Sequence, residues 1–143
     1  MSFGVKLNDP TLDRRVPMEF VALVALLILC QYIVFMALCG KARADSGLLA
    51  PATTGDESFE RAYRVQMNTL EQMVITLPAM WLCAYFFMPI VAGVLGLSFF
   101  VGRLVYRATY IKDPATRGPG MIIGFLSNVL LLLCGLWGVL TPL

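Results

Sequence analysis

Val16-Pro17-Met18-Glu19-Phe20-Val21-Ala22-Leu23-Val24-Ala25-Leu26-Leu27-Ile28-Leu29-Cys30-Gln31-Tyr32-Ile33-Val34-Phe35-Met36-Ala37-Leu38 is an apolar run whose one charge is Glu19. A helix that crosses a bilayer needs roughly 20 mainly apolar residues, and this run has them. It is too long for the roughly 7–15-residue apolar core of a signal peptide and lacks a small-residue cleavage site, so no signal peptide is expected. Pro17 suits a first helical turn, where its missing N–H costs nothing. The rest of the chain agrees. Of its 143 residues 59% are hydrophobic and 14% charged, and the mean hydropathy is +0.78. A soluble domain has about 45–50% apolar and about 25% charged residues. The chain is therefore read as an all-α integral membrane protein, with residues 1–143 as a single domain. A net charge of only +2 argues against nucleic acid as a partner. The absence of histidine excludes His-based acid–base catalysis and His metal ligation.

Met121–Leu140 is a second uncharged run long enough to span. Gln72–Met88 and Ile90–Gly102 are apolar but short. They reach spanning length only by continuing through polar residues, as Phe59–Met88 (about 45 Å) and Ile90–Ile111 (about 33 Å). Pro89 forces a tight turn between them, and Pro78 is expected to kink the second helix. Gly40–Ser58 and Asp113–Gly120 read as loops, with Ser58 as a weak candidate cap. Four transmembrane helices in a compact up-down bundle are expected. Lys41, Arg43, Arg61, Arg64, Arg103, Arg107, Lys112 and Arg117 lie near the first and third connections. Lys6, Arg14 and Arg15 precede the first span. Positive-inside bias then puts those two connections in the cytoplasm and both termini outside.

The second helix carries a polar stripe into the membrane. At 100° per residue Glu60, Arg61, Arg64, Asn68, Glu71 and Gln72 share an arc of about 120°, and Gln66 points elsewhere. A charge at the centre of a membrane helix costs about 2.5–3.5 kcal/mol on insertion scales, so these groups must face protein, water or a ligand. Charge pairing is the competing explanation. Glu57–Arg61 and Glu60–Arg64 have the favourable i,i+4 order, but Asn68, Glu71 and Gln72 lie deeper. On the third helix Phe99, Arg103, Tyr106 and Tyr110 share a face, with Arg107 at its edge, and Arg117 follows. Singly, each Tyr reads as an interfacial anchor and each Arg as a snorkelling side chain. Two polar stripes at one depth point to a site.

Guanidinium groups bind carboxylates by paired hydrogen bonds. Glu71 could hold an ammonium, and Asn68 and Gln72 could bond amides. That set suits a small zwitterionic peptide better than a nucleotide. No phosphate loop is present, and Gly93, Gly96 and Gly102 read as close helix contacts. Cys30, Cys39, Cys83 and Cys134 are scattered, form no C-x-x-C motif, and read as structural thiols. Ser127 and Asn128 read as interhelical hydrogen-bonding groups. Any reactive group then arrives with a substrate. Lowering a thiol pKa by two units needs about 2.7 kcal/mol. One Arg near 4 Å supplies about 4 kcal/mol at an effective dielectric of 20.

Phe59-Glu60-Arg61-Ala62-Tyr63-Arg64-Val65-Gln66-Met67-Asn68-Thr69-Leu70-Glu71-Gln72 resembles the signature E-R-x-x-R-x-Q-x-N-x-x-E of the MAPEG family, the membrane-associated proteins in eicosanoid and glutathione metabolism. Lys41-Ala42-Arg43, Ala50–Gly55, and Arg103-Leu104-Val105-Tyr106 with Tyr110 and Arg117 resemble its flanking patterns. The resemblance implies a homotrimer of four-helix protomers that bind glutathione, as co-substrate, between subunits near the cytoplasmic boundary. Carried over by position, Arg43, Arg64, Gln66, Asn68, Glu71, Tyr106 and Tyr110 would bind glutathione, with Arg103 nearby. Gln66 would serve from a different protomer. Arg117 matches the arginine credited with stabilising the thiolate, and is the implied catalytic residue. Gln72 stands where the leukotriene C synthase branch has Tyr, and Val105 where it has a basic residue. Both departures favour a general glutathione S-transferase over leukotriene synthesis. The tail ending at Leu143 fits a compact, bacterial-type member.

The expected activity is conjugation of glutathione to hydrophobic or lipid electrophiles, with lipid hydroperoxide reduction as a further activity, in a bacterial inner membrane or endoplasmic reticulum. Two other readings compete. One is a non-catalytic protein that binds and presents lipid. The other is a small multidrug transporter, supported only by four short helices and Glu19, which a helix N-terminal dipole explains more simply.

Overall fold

The computed structural model describes residues 10–141, with side chains from Pro17 onward. Lys6 and Leu143 lie outside the described residues, and the side chains of Arg14 and Arg15 are not described. Four helices run in order: α1 (Pro10–Ser46), α2 (Glu57–Phe86), α3 (Pro89–Lys112) and α4 (Gly118–Leu140), with a single 3-10 turn at Pro114–Thr116.

Three helices are bounded differently from the sequence reading. First, α1 does not begin near Pro17 but holds it inside the helix. It also continues past Gly40 through Ser46, because Lys41-Ala42-Arg43-Ala44 are good helix formers and Lys41 pairs with Asp45 one turn on, at 2.5 Å. Second, α2 is capped by Asp56, not Ser58. The Asp56 carboxylate accepts from Phe59 N at 2.8 Å, and Glu60 Oε1 accepts from Gly55 N at 2.8 Å. Together they satisfy two backbone donors at the helix start, the logic of a capping box shifted by one residue. Third, Gly118–Gly120, expected in a loop, already belong to α4, with Pro119 in its first turn. The turn between α2 and α3 is as tight as Pro89 demands: Phe87 N and Met88 N both donate to Cys83 O.

Consecutive helices run antiparallel. Along α4 the contacts with α3 run backwards, Gly120 against Tyr106 and Gly124 against Phe99. The contacts with α2 run forwards, from Gln72–Gly124 through Thr76–Asn128 to Phe86–Gly138. Val21, Ile28, Met80, Cys83, Phe99 and Leu131 form the main core. The outer surface is apolar too: Leu23, Leu26 and Ile33 of α1 and Leu132, Leu133 and Leu136 of α4 are half-exposed or more. So much contiguous apolar surface is incompatible with water and natural in lipid. Three helical segments are long and apolar enough to cross a membrane: Pro17–Ser46, Pro89–Lys112 and Pro114–Leu140. α2 has the length, at 30 residues, but its first half is charged.

Glycine lets the backbones meet at the end of the bundle away from that charge. A Cβ on Gly138 would lie 2.2 Å from Phe86 O, a backbone atom that cannot swing aside. Gly138→Ala is therefore expected to cost about 1–3 kcal/mol of stability, read as a lower apparent Tm in detergent. Gly40→Ala, with nothing within 4 Å of the added Cβ, is expected to hold or gain stability by about 1 kcal/mol from helix propensity.

Candidate functional site

The charged half of α2 divides by task. Arg61 pairs with Glu57, as its i,i+4 spacing allows, and Arg61 Nη1 donates to Ile111 O (2.8 Å) and Lys112 O (2.9 Å). A cation thus takes the last free carbonyls of α3, where the helix dipole favours it. This contact clamps the start of α2 to the end of α3. The Glu60–Arg64 pair does not form, because Glu60 is used on the Gly55 backbone. Arg64 instead turns deeper, with Nη1 3.9 Å from Glu71 Oε1. The side chains of this pair are 56% and 52% exposed. Such an open pair is worth little and is easily repartnered. Asn68 Nδ2 donates to the other Glu71 oxygen at 3.3 Å, while Asn68 Oδ1 is buried without a partner.

Arg103 lies behind this row, fully buried. Its Nε and Nη2 donate to Thr69 Oγ1 at 3.2 and 3.1 Å. Thr69 spends its own hydroxyl hydrogen on Val65 O at 2.7 Å, so its lone pairs face the guanidinium. The guanidinium carbon sits 4.1 Å from the centroid of the Tyr106 ring, and Tyr110 stacks on Tyr106 at 5.3 Å. Arg103 Nη1 has no hydrogen-bond partner, and no carboxylate among the described residues is within ion-pair distance of this side chain. The positive charges near enough to act on the Tyr106 hydroxyl are Arg103, Arg64 and Arg117. Arg117 is exposed at the cap of α4. An open cleft of 470 Å³, lined by Thr54, Arg61, Arg64, Tyr110 and Pro114 among others, adjoins this face. That volume is within the roughly 300–1,000 Å³ of small-molecule sites.

The structure thus brings Arg64, Asn68, Glu71, Arg103, Tyr106 and Tyr110 together on α2 and α3, with Arg117 beside them. Two sequence-derived candidates lie elsewhere in the protomer. Gln66 turns to α1, its Nε2 3.5 Å from the Tyr32 hydroxyl. Arg43 donates to Ala52 O at 2.8 Å and stacks over Phe59 at 4.3 Å, tying down the first connection. Thr69 was not singled out in the sequence. The available signal was its place directly after Asn68, on the side of α2 that a buried arginine of α3 would meet. Deeper in the bundle, Asn128 Oδ1 accepts from the Thr76 hydroxyl at 2.7 Å, joining α2 to α4 as expected. Ser127 instead bonds within its own helix, to Ile123 O at 2.8 Å. Cys39 and Cys83 are buried and Cys134 is half-buried, but Cys30 is exposed, so only three of the four thiols are sheltered by the protomer. No metal-ligating cluster occurs among the described residues.

An all-helical bundle with three lipid-compatible spans and an arginine–tyrosine face at one end is an integral membrane protein. The chain belongs to the MAPEG family, whose model matches residues 21–137. It is 40% identical over 122 residues to the uncharacterized protein sll1147 of Synechocystis, covering 85% of this chain and 89% of that one. It is 33% identical over 118 residues to microsomal glutathione S-transferase 2 of Homo sapiens, covering 82% and 80%. It is 36% identical over 67 residues to leukotriene C4 synthase of Bos taurus, covering 47% and 45%.

Thr69 is the one acceptor that the fully buried Arg103 has. Thr69→Val keeps the shape and removes the acceptor, and is expected to cost about 1–3 kcal/mol of stability. Thr69→Ser is expected to restore most of it. Apparent Tm in detergent checks both.

Proposed function

We propose that this protein is a membrane-bound glutathione S-transferase that holds the glutathione thiol as thiolate for attack on hydrophobic electrophiles. The observation that carries this reading is the charge balance at one membrane edge. Arg64, Arg103 and Arg117 lie near Tyr106 with Glu71 beside them, while Glu57 and Glu60 of the adjoining cleft are engaged by Arg61 and by the Gly55 backbone. A site with that surplus favours an anion. Glutathione matches it group by group, with two carboxylates for guanidinium groups, an ammonium for Glu71, amides for Asn68, and a sulfur that becomes negative. The relatives named microsomal glutathione S-transferase 2 support the same substrate.

In this reading Arg64 and the two tyrosines hold the peptide, and Arg103 acts from below by fixing Tyr106. Arg117, exposed and in no ion pair among the described residues, stabilises the sulfur. The thiol proton leaves to water, the thiolate attacks the electrophilic carbon to form the thioether, and the leaving group takes the bonding electrons and departs to water as an anion. The same thiolate could reduce a lipid hydroperoxide. The functional unit is a single-domain protomer of four transmembrane helices, α2 crossing with its polar face turned inward, assembled as a homotrimer. Arg43 and Gln66, turned away from Tyr106 in their own protomer, then serve a neighbour's site. The first and third connections face the cytoplasm.

Arg117→Ala is expected to reduce conjugation of an aryl halide about 100-fold at neutral pH, the thiolate lost when a thiol pKa rises by two units. Glutathione binding should persist. The deficit should shrink as assay pH approaches the ordinary thiol value of about 8.5. Wild-type turnover in Arg117→Ala, or no thiolate absorbance when glutathione is added to the native protein, rejects the mechanism. Arg64→Ala removes a charge-assisted hydrogen bond worth about 1.5–3 kcal/mol. It is expected to raise the glutathione KM about 10–100-fold with kcat less affected, as a glutathione titration at saturating electrophile would show.

A further inference from the structure

Arg107 belongs to none of the contacts described so far. It follows Tyr106 in sequence but turns to α1, where its guanidinium carbon lies 5.8 Å from the centroid of the Phe35 ring. It takes part in none of the ion pairs found among the described residues, and it is half-buried. It lies five positions before Lys112, the end of α3, so it sits about 7.5 Å inside the helix end. A cleft of 130 Å³ opens around it between α1, α2 and α3. Its walls are apolar on the side away from the helix end (Phe35, Leu38, Val65), with Ser58 and Ile111 toward the helix end. Toward water it adjoins a groove of 220 Å³ that shares Leu38, Ala42 and Ser58 and includes Lys41 and Asp45, which neutralise each other.

We propose that this cleft is a binding site for the anionic head of a membrane amphiphile, a carboxylate or phosphate held by the Arg107 guanidinium. The volume is too small for a whole ligand of drug size, which needs roughly 300–1,000 Å³, and suits a headgroup whose chain runs out along the helices. Basic pockets between membrane helices on the cytoplasmic side take lipid headgroups in this way. The Arg fork matches both oxyanions by paired hydrogen bonds. A snorkelling side chain would carry its guanidinium out into water; this one stays against Phe35. The polar groove above leaves room for the remainder of a larger headgroup. Snorkelling aside, an ionisable group at this depth needs a partner, and the amphiphile supplies it. The inference is independent of glutathione, whose proposed ligands lie around Tyr106 and Tyr110.

The test is native mass spectrometry of the full-length protein in phosphatidylcholine-containing micelles. One arm is titrated with phosphatidylglycerol for the phosphate and another with oleate for the carboxylate. Arg107→Gln is compared with Lys112→Gln, an exposed cation at the same edge. Arg107→Gln is expected to lose about tenfold or more in affinity in at least one arm, and the arm with the larger loss identifies the head. Lys112→Gln should change by no more than the roughly fivefold that general surface attraction gives. Glutathione titration of Arg107→Gln should be unchanged and reports folding. If that variant does not fold, Leu38→Trp fills the cleft without touching the charge and should displace the same lipid. Equal affinities for Arg107→Gln and Lys112→Gln in both arms, or undiminished binding to a folded Leu38→Trp, overturn the proposal.

Discussion

Arg103 is a guanidinium buried inside a membrane bundle with no carboxylate among the described residues to pair with. Removing a charge from water costs several kcal/mol even after relaxation. The compensation is specific: the hydroxyl of Thr69, and the face of Tyr106 at 4.1 Å, a geometry whose attraction grows when the cation is desolvated. The two helices that carry the polar face are therefore joined by a cation that neither can release. Tyr106 is held by its ring, and its hydroxyl end is left for the open side, where Tyr110 stacks beside it.

The positions of the other charges follow from what this centre does not use. Asp56 and Glu60 are consumed in starting α2, and Glu57 in pairing Arg61, which closes the end of α3. Once Glu60 is engaged on the backbone, Arg64 has no acid one turn above it. It reaches down to Glu71 through a 3.9 Å pair that remains half-open to solvent. Local capping chemistry thus leaves an exposed cation and an exposed anion side by side at the edge of the polar face. Neither is committed to the fold, and both can exchange partners at small cost.

Much of this was legible in the sequence. The 100° arc over Glu60–Gln72 places Arg64, Asn68 and Glu71 on one face, and the spacing of Arg103, Tyr106 and Tyr110 places them on another; the two meet as expected. The helix ends were less legible. A polar stretch such as Lys41–Ser46 reads as loop by composition, yet stays helical because nothing in it breaks a helix. Asp56 outcompetes Ser58 as cap because Glu60 can reach back to Gly55. Thr69 was invisible because a threonine in a membrane helix ordinarily bonds its own backbone, as Thr109 also does. Only the arrival of Arg103 from another helix gives Thr69 its second task. Arg107 was placed at the edge of the α3 stripe, but no single-helix projection shows that it faces Phe35.

Glycine brings α4 against backbone at both ends of the bundle. Where Gly138 meets the Phe86 carbonyl and where Gly120 meets the Tyr106 backbone, no side-chain motion can widen the contact. At the charged end α2 and α3, by contrast, are joined through whole side chains, with Arg103 and Tyr106 among the largest fully buried ones. Polar atoms there remain unpaired: Asn68 Oδ1, Gln72 Oε1 and Arg103 Nη1. Buried polar groups are seldom left so without a role. Asn68 and Arg103 belong to the polar face of α2 and α3, Gln72 Oε1 lies toward Gly124 of α4, and Gln31 Oε1 and Arg61 Nε are unpaired elsewhere in the bundle. α2 and α3 can thus carry a polar face between them while glycine keeps α4 packed against both.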